Sequence, residues 1–216
     1  AAFASWAEGS KGNGGAVRVV AVACAYHDDL DRLAALAEEA AGVTHAHPLG
    51  RGGAVVHAVA VAQVIGRGDR ALDGDELLAP IVRARIVTGT ILATRLEEAQ
   101  RLAADQAGAS AAARALGNGV LAEEAVPLAL FAFLRWAPDF TSVVKNTILA
   151  GGDTDTTAAM SGALCGALVG EEGLPGAWLG RIEAGPRGVT HVRGLADAVF
   201  DLWVKRAGPR RRPPHR

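Results

Sequence analysis

The chain has 216 residues, half of them hydrophobic, 5% aromatic, with a formal net charge of −1. That length suits a single domain with its own core, and two cysteines are too few for a disulfide framework. Six of the basic residues, from Lys205 to Arg216, fall in the last twelve positions with no acid among them, so the body is mildly acidic and carries no basic stripe for nucleic acid.

Ala and Leu favour helices, and the β-branched residues are scattered singly, so an all-α fold is expected. Residues 1–15 contain AEGSKGNGG, which reads as a loop. AVRVVAVACAY follows, apolar throughout and ambiguous between buried helix and strand. Asp28 and Asp29 look like N-cap residues for a helix carrying Leu30, Leu33, Ala34, Ala37 and Ala40, with Gly42 as its stop. VTHAHPLGRGG reads as another loop, and Ala54 to Ile65 as a central helix apolar on most sides. Leu77, Leu78, Ile81 and Val82 are expected to begin another helix, and further helices are expected around Ile91–Gln106, Glu123–Leu134, Thr141–Leu149 and Thr157–Val169. A short one near Trp178 and a last one over Leu195–Lys205 complete the body. This makes eight or nine helices in one bundle over residues 1–205, with 206–216 as a disordered basic tail. Cys24 and Cys165 sit in Ala-rich surroundings and read as buried thiols, in keeping with a reducing cytoplasm. No uninterrupted apolar run reaches membrane-spanning length, so no membrane partner is expected.

Gly151-Gly152-Asp153-Thr154-Asp155-Thr156 is the segment richest in chemistry. Two carboxylates one residue apart in an extended loop point to the same side, and the Thr156 hydroxyl adds a third hard oxygen, a donor set suited to Mg²⁺. The competing reading is helix capping, since Asp and Thr are preferred caps before an Ala-rich helix. A zinc site from His45, His47 and His57 is not expected, because their spacing fits no standard arrangement. His27, His47 and His191 read as surface or helix-end residues. Trp178 reads as helix packing.

GGDTDTTAAMSGALCGALVG followed by LPGAWL resembles the C-terminal signature of the ADP-ribosylglycohydrolase family. KGNGGAVRV resembles its glycine-rich substrate loop, VTHAHPLGRGGA its Thr-His segment, and LGNGVLAEEAVPLALFAF its Gly-Asn-Gly loop with the helix after it. The matches run in order across most of residues 9–180 and are closest to the branch acting on serine-linked ADP-ribose and poly-ADP-ribose. The resemblance implies an all-α orthogonal bundle and hydrolysis of the glycosidic bond linking ADP-ribose to an acceptor such as a modified protein. It also implies two Mg²⁺ ions, with Asp153, Asp155 and Thr156 as the C-terminal half of their ligand set, and Asp153 and Asp155 catalytic. Gly9, Ser10, Gly12, Asn13, Gly14 and Gly15 would hold the diphosphate and riboses through backbone N–H groups. Tyr26 and His45 would flank the adenosine end, and Gly117, Asn118, Gly119 and Val120 would line the other side of the ribose. Arg18 is open between a charge role and a structural pairing.

Val17 stands where the family usually has Met, a small departure between apolar residues. A larger one is that the family supplies a Thr-Asp-Asp triplet and an acidic gating residue upstream of the glycine loop, whereas eight residues precede Gly9 here. His27-Asp28-Asp29 is no substitute, because it follows the loop. The expectation is therefore a partial metal site and weak or no turnover by the chain as given, with an inactive ADP-ribose-binding module or a structural relic as the alternative.

Overall fold

The computed structural model describes residues 9–68, 74, 77–79 and 91–208. Its α-helices in chain order are α1 (Gly14–Val17), α2 (Val20–Tyr26), α3 (Leu30–Gly42), α4 (Pro48–Gly66), α5 (Ile91–Ala104), α6 (Ala109–Leu116), α7 (Ala122–Trp136), α8 (Phe140–Leu149), α9 (Thr154–Val169), α10 (Gly176–Leu179) and α11 (Val189–Ala207), with a 3-10 turn at Glu171–Gly173. Among the described residues the only β-type pairing is an isolated bridge between Gly12 and Leu121. The all-α expectation holds. The expected helix start at Ile81 and Val82 lies outside the described residues.

α4 is the axis of the bundle and packs against α1, α2, α3, α7 and α9. It is buried nearly all round from Gly50 to Val64, which explains why its apolar residues show no single face. By length and composition this helix is apolar enough to cross a membrane, which the expectation from uninterrupted runs did not allow for. Most of that stretch is buried inside the bundle. A second cluster, around Leu116, Leu128 and Phe131, joins α5, α6 and α7.

Local signals set the helix ends. The Asp29 side chain accepts the Arg32 N–H at 3.1 Å, capping α3, and Asp139 caps α8 through the Ser142 N–H at 3.1 Å. Such caps each stabilise a helix by about 1 kcal/mol. The ambiguous segment after the glycine loop becomes two short helices, α1 and α2, broken at Arg18 and Val19. α6 was not expected from the sequence. α11 runs through Ala207, past the expected boundary at residue 205, and the expected tail beyond residue 208 lies outside the described residues.

The largest difference concerns Pro48 to Gly53, expected as loop but forming the first turns of α4. Pro suits the first turn of a helix, where its missing N–H costs nothing. Position 50 is glycine within the helix because a side chain there is excluded: a Cβ would come within 2.6 Å of the Ser10 carbonyl oxygen. Glycine there reflects close approach of the glycine loop rather than a turn, and packing overrides its poor helix propensity.

The cysteines differ from each other. Cys165 is buried, and burial, then the charge of Asp139, pushes its thiol up to about 11. Cys24 is half-buried. Trp178 packs edge-on against Phe140 at 6.1 Å, in line with a packing role.

Candidate functional site

Three loops far apart in sequence lock together at one end of the bundle. The glycine loop (residues 9–13) meets the Gly-Asn-Gly loop (117–121) through the Asn13 N–H, which donates to Val120 O at 2.9 Å, and the Ala122 N–H, which donates to Lys11 O at 2.9 Å. The Gly-Asn-Gly loop meets the Asp-Thr-Asp loop (150–153) through the Asp153 N–H, which donates to Asn118 O at 2.8 Å. The Asn118 side chain donates to Ala150 O at 2.9 Å. Gly152 is required here: its φ is +74°, and a Cβ would be driven into the Asn118 carbonyl.

The third side of the triangle is closed by side chains. Asn13 Nδ2 donates to Asp153 Oδ2 at 2.6 Å, and Asn13 is 6% exposed. Asp153 occupies the N-cap position of α9 yet makes no side-chain cap hydrogen bond. The capping alternative is therefore not realised by the Asp153 side chain. Asp153 does not tie down its own helix but turns to the glycine loop. Asp155 is exposed, with Oδ1 accepting the Thr156 N–H at 2.9 Å. A side-chain hydrogen bond with Asp153, then the Thr156 N–H, holds the Asp155 carboxyl below the usual carboxylate range.

His57, 1% exposed, braces the cluster from below. Its Nδ1 lies 2.7 Å from Ala16 O in α1, and its Nε2 lies 3.2 Å from Met160 O in α9. Burial holds the ring below its ordinary range, against the two carbonyls that favour its protonation. Glu124, in the first turn of α7, accepts the Gly119 N–H at 2.9 Å and so anchors the Gly-Asn-Gly loop.

His45 is 9% exposed and borders the glycine loop: a Cβ on Gly12 or Gly14 would stand 3.3 or 3.4 Å from its Nε2. Ser10 Oγ accepts the Gly12 N–H at 3.1 Å on the other flank. Burial, then the charge of Arg18, lowers the His45 pKa. Arg18 donates to Ala40 O at 2.7 Å and to Thr44 Oγ1 at 2.7 Å, which gives it a structural pairing at the end of α3. Tyr26 stands elsewhere, at the far end of α2, its ring 4.7 Å beneath the Arg206 guanidinium. His47 caps α4 by accepting the Leu49 N–H at 3.1 Å.

Of the residues expected from the sequence, the structure gathers Gly9 to Gly15, His45, Gly117 to Val120 and Asp153 to Thr156 into one region, and it leaves Tyr26 out. Asn13 and Asn118 spend their side-chain amides on protein partners, so both shape the site from within. The sequence reading missed His57, Glu124, Thr44 and Lys11. Glu124 carried a signal, as one of two acids opening a helix. His57 carried one as a lone titratable residue in an apolar helix. Asp28, excluded as a substitute metal ligand, pairs with Arg206.

The residues that could hold a metal are Asp153, Asp155 and Thr156, whose hard oxygens are of the kind Mg²⁺ takes but supply only two charges. Among the described residues no group of three or more His, Cys, Asp or Glu is placed to hold a metal ion. A separate apolar groove of about 610 Å³, lined by Val20, Cys24, Leu195, Phe200 and Trp203 among others, lies between α2 and α11 and takes no part in the loop cluster.

The family profile described as ADP-ribosylglycohydrolase matches residues 1–209. Human ADP-ribosylhydrolase ARH3 is 35% identical over 199 residues, covering 79% of this chain and 53% of its own length. An uncharacterized protein of Archaeoglobus fulgidus is 31% identical over 195 residues, covering 89% of this chain and 59% of its own. Among solved structures, one titled ADP-ribosylglycohydrolase-related protein complex superposes with a TM-score of 0.67 at 25% identity, covering 91% of this chain and 62% of that one. The chain therefore spans little more than half the length of the relatives it matches.

Proposed function

The chain belongs to the ADP-ribosylglycohydrolase family, and from that premise we propose that it forms the ADP-ribose-binding part of a Mg²⁺-dependent hydrolase cleaving the bond between ADP-ribose and its acceptor. The observation that carries this reading is the Asn13–Asp153 hydrogen bond of 2.6 Å. It aims one carboxylate at the glycine loop, where a helix cap would aim it at its own backbone.

Each part of the cluster has a task in this reading. Gly12 and Gly14 let the diphosphate approach backbone N–H groups that a side chain would shield, while Gly15 lets α1 pack closely on Ala41. The Gly-Asn-Gly loop, held by Glu124, borders the ribose. Asp153, Asp155 and Thr156 would hold Mg²⁺, whose chemistry here is Lewis-acid orientation of the sugar hydroxyls and easier deprotonation of water. Asn13 fixes the orientation of Asp153 in that set, and the negative side chains stabilise positive charge developing at the anomeric carbon as the glycosidic bond breaks.

The test is calorimetry of ADP-ribose and Mg²⁺ with the full 216-residue chain, followed by assay of ADP-ribose release. ADP-ribose binding with only weak Mg²⁺ binding is expected of a partial site, whereas micromolar Mg²⁺ binding would show that the site is complete. Where turnover occurs, Asp155→Ala should abolish it with the fold intact, and unchanged release would remove Asp155 from the mechanism. The two-carboxylate donor set favours a second reading, an ADP-ribose-binding module without turnover, recognised by affinity for ADP-ribose that Mg²⁺ does not change.

A further inference from the structure

A chain of polar contacts runs from the surface to the glycine loop. One guanidinium nitrogen of Arg18 lies 2.7 Å from Thr44 Oγ1, and that oxygen lies 2.6 Å from His45 Nδ1. The opposite edge of the His45 ring, at Nε2, faces the Gly12–Gly14 turn.

We propose that Arg18, Thr44 and His45 form a directional hydrogen-bond relay that holds His45 as its Nε2–H tautomer and presents that N–H to an acceptor oxygen of the bound ligand. The inference rests on the preceding reading for the identity of the ligand, ADP-ribose, and goes beyond it in assigning Thr44 and Arg18 as positioning residues.

Direction follows from chemistry. A guanidinium has donors only, so Thr44 Oγ1 accepts from Arg18. A hydroxyl that accepts from a cation is polarised, which strengthens it as a donor and weakens it as a second acceptor. Its proton therefore goes to His45 Nδ1. A neutral imidazole carries one N–H, which must then sit on Nε2. The ring stays neutral because it is largely buried and a guanidinium stands nearby. The reverse polarity would aim a lone pair at a loop built to receive a diphosphate.

Thr44 is exposed, so its variants should fold. In the full chain with ¹⁵N-labelled histidine, ring ¹⁵N spectra at neutral pH should show His45 with Nδ1 unprotonated and Nε2 protonated, its signals assigned by their loss in His45→Asn. Thr44→Val keeps the side-chain shape without the hydroxyl. It should shift the ring toward the Nδ1–H form and weaken ADP-ribose binding about fivefold, the value of one hydrogen bond. Thr44→Ser should restore both. A wild-type ring protonated on Nδ1, or a Thr44→Val protein with unchanged tautomer and affinity, overturns the relay. If the wild-type chain binds no ADP-ribose at millimolar concentration, the ligand assignment of the preceding subsection fails. The tautomer comparison between wild type and Thr44→Val then upholds or overturns the relay by itself.

Discussion

The loop cluster and the α11 face of the bundle are held by opposite kinds of force. At the loops, backbone groups from three distant segments bond to one another, and buried Asn13 and His57 finish the pairing. Along α11, Trp203 is buried, while Val192, Leu195, Phe200 and Leu202 are each more than half exposed. That helix is tied down by an ion pair from Arg206 to Asp28 and an exposed one from Arg193 to Glu171, and exposed pairs contribute little. Directional hydrogen bonds between loops specify a geometry to fractions of an ångström. A sparsely covered apolar helix specifies only proximity. Chemistry is therefore expected at the first region, although the second holds an apolar groove of about 610 Å³.

The contrast breaks most sharply at Gly152. Gly152→Ala places a side chain at φ +74° and against the Asn118 carbonyl. Strain and collision together should cost on the order of 3 kcal/mol in urea unfolding. Gly166→Ala, on α9 with no neighbour closer than 4.0 Å to the new Cβ, should instead stabilise by about 0.5–1 kcal/mol. Equal effects at the two glycines would show that the loops are not locked.

Next in size is His57. His57→Leu leaves the Ala16 carbonyl, in the last turn of α1, without its buried donor, at a cost of about 2 kcal/mol. The pH dependence has a definite sign. Burial lowers the folded-state pKa below the ordinary value of 6.5, so the unfolded chain takes up the proton first. The stability tied to the neutral ring is complete above pH 6.5 and is lost as the pH falls toward the folded-state pKa. Urea midpoints at pH 7.5 and 5.5 should therefore show the gap between wild type and His57→Leu narrowing in acid. A widening gap would mean that the ring is protonated in the native state.

Asn13→Ala sharpens the comparison within the cluster. It removes the hydrogen bond to Asp153 while leaving the backbone bonds of the loop in place. ADP-ribose affinity in the presence of Mg²⁺ should fall about tenfold, the scale of losing a group that orients a metal ligand. Unchanged affinity, measured by calorimetry, would separate the glycine loop from the two acids.

Much of this was legible in the sequence where a signal is local. Asp29 and Asp139 cap helices as their residue types suggest, and the apolar stretch through Ala54–Ile65 lies at the centre of the bundle. What escaped depends on residues brought together from far apart. Gly50 reads as a turn until the Ser10 carbonyl is found above it. Asp153 reads as a helix cap or a ligand from its residue type, and nothing local shows that Asn13, 140 residues earlier, holds its side chain. Tyr26 follows an apolar run toward the site in sequence, but α2 carries it away to Arg206. Periodicity reports which face of an element is buried and nothing about which partner buries it.

The smallest effect is expected on the other side of the comparison. Leu195→Ser and Phe200→Ser remove half-exposed apolar groups from α11, which line the groove but reach none of the three loops. If the two regions are energetically separate, ADP-ribose affinity stays within twofold of wild type and urea midpoints hardly move, because partly exposed side chains forfeit little transfer free energy when shortened. Solubility should rise as the apolar patch shrinks. A tenfold loss of ADP-ribose affinity in either variant would show instead that α11 helps to set the loop geometry, and the division between a specified site and a loosely covered flank would fail.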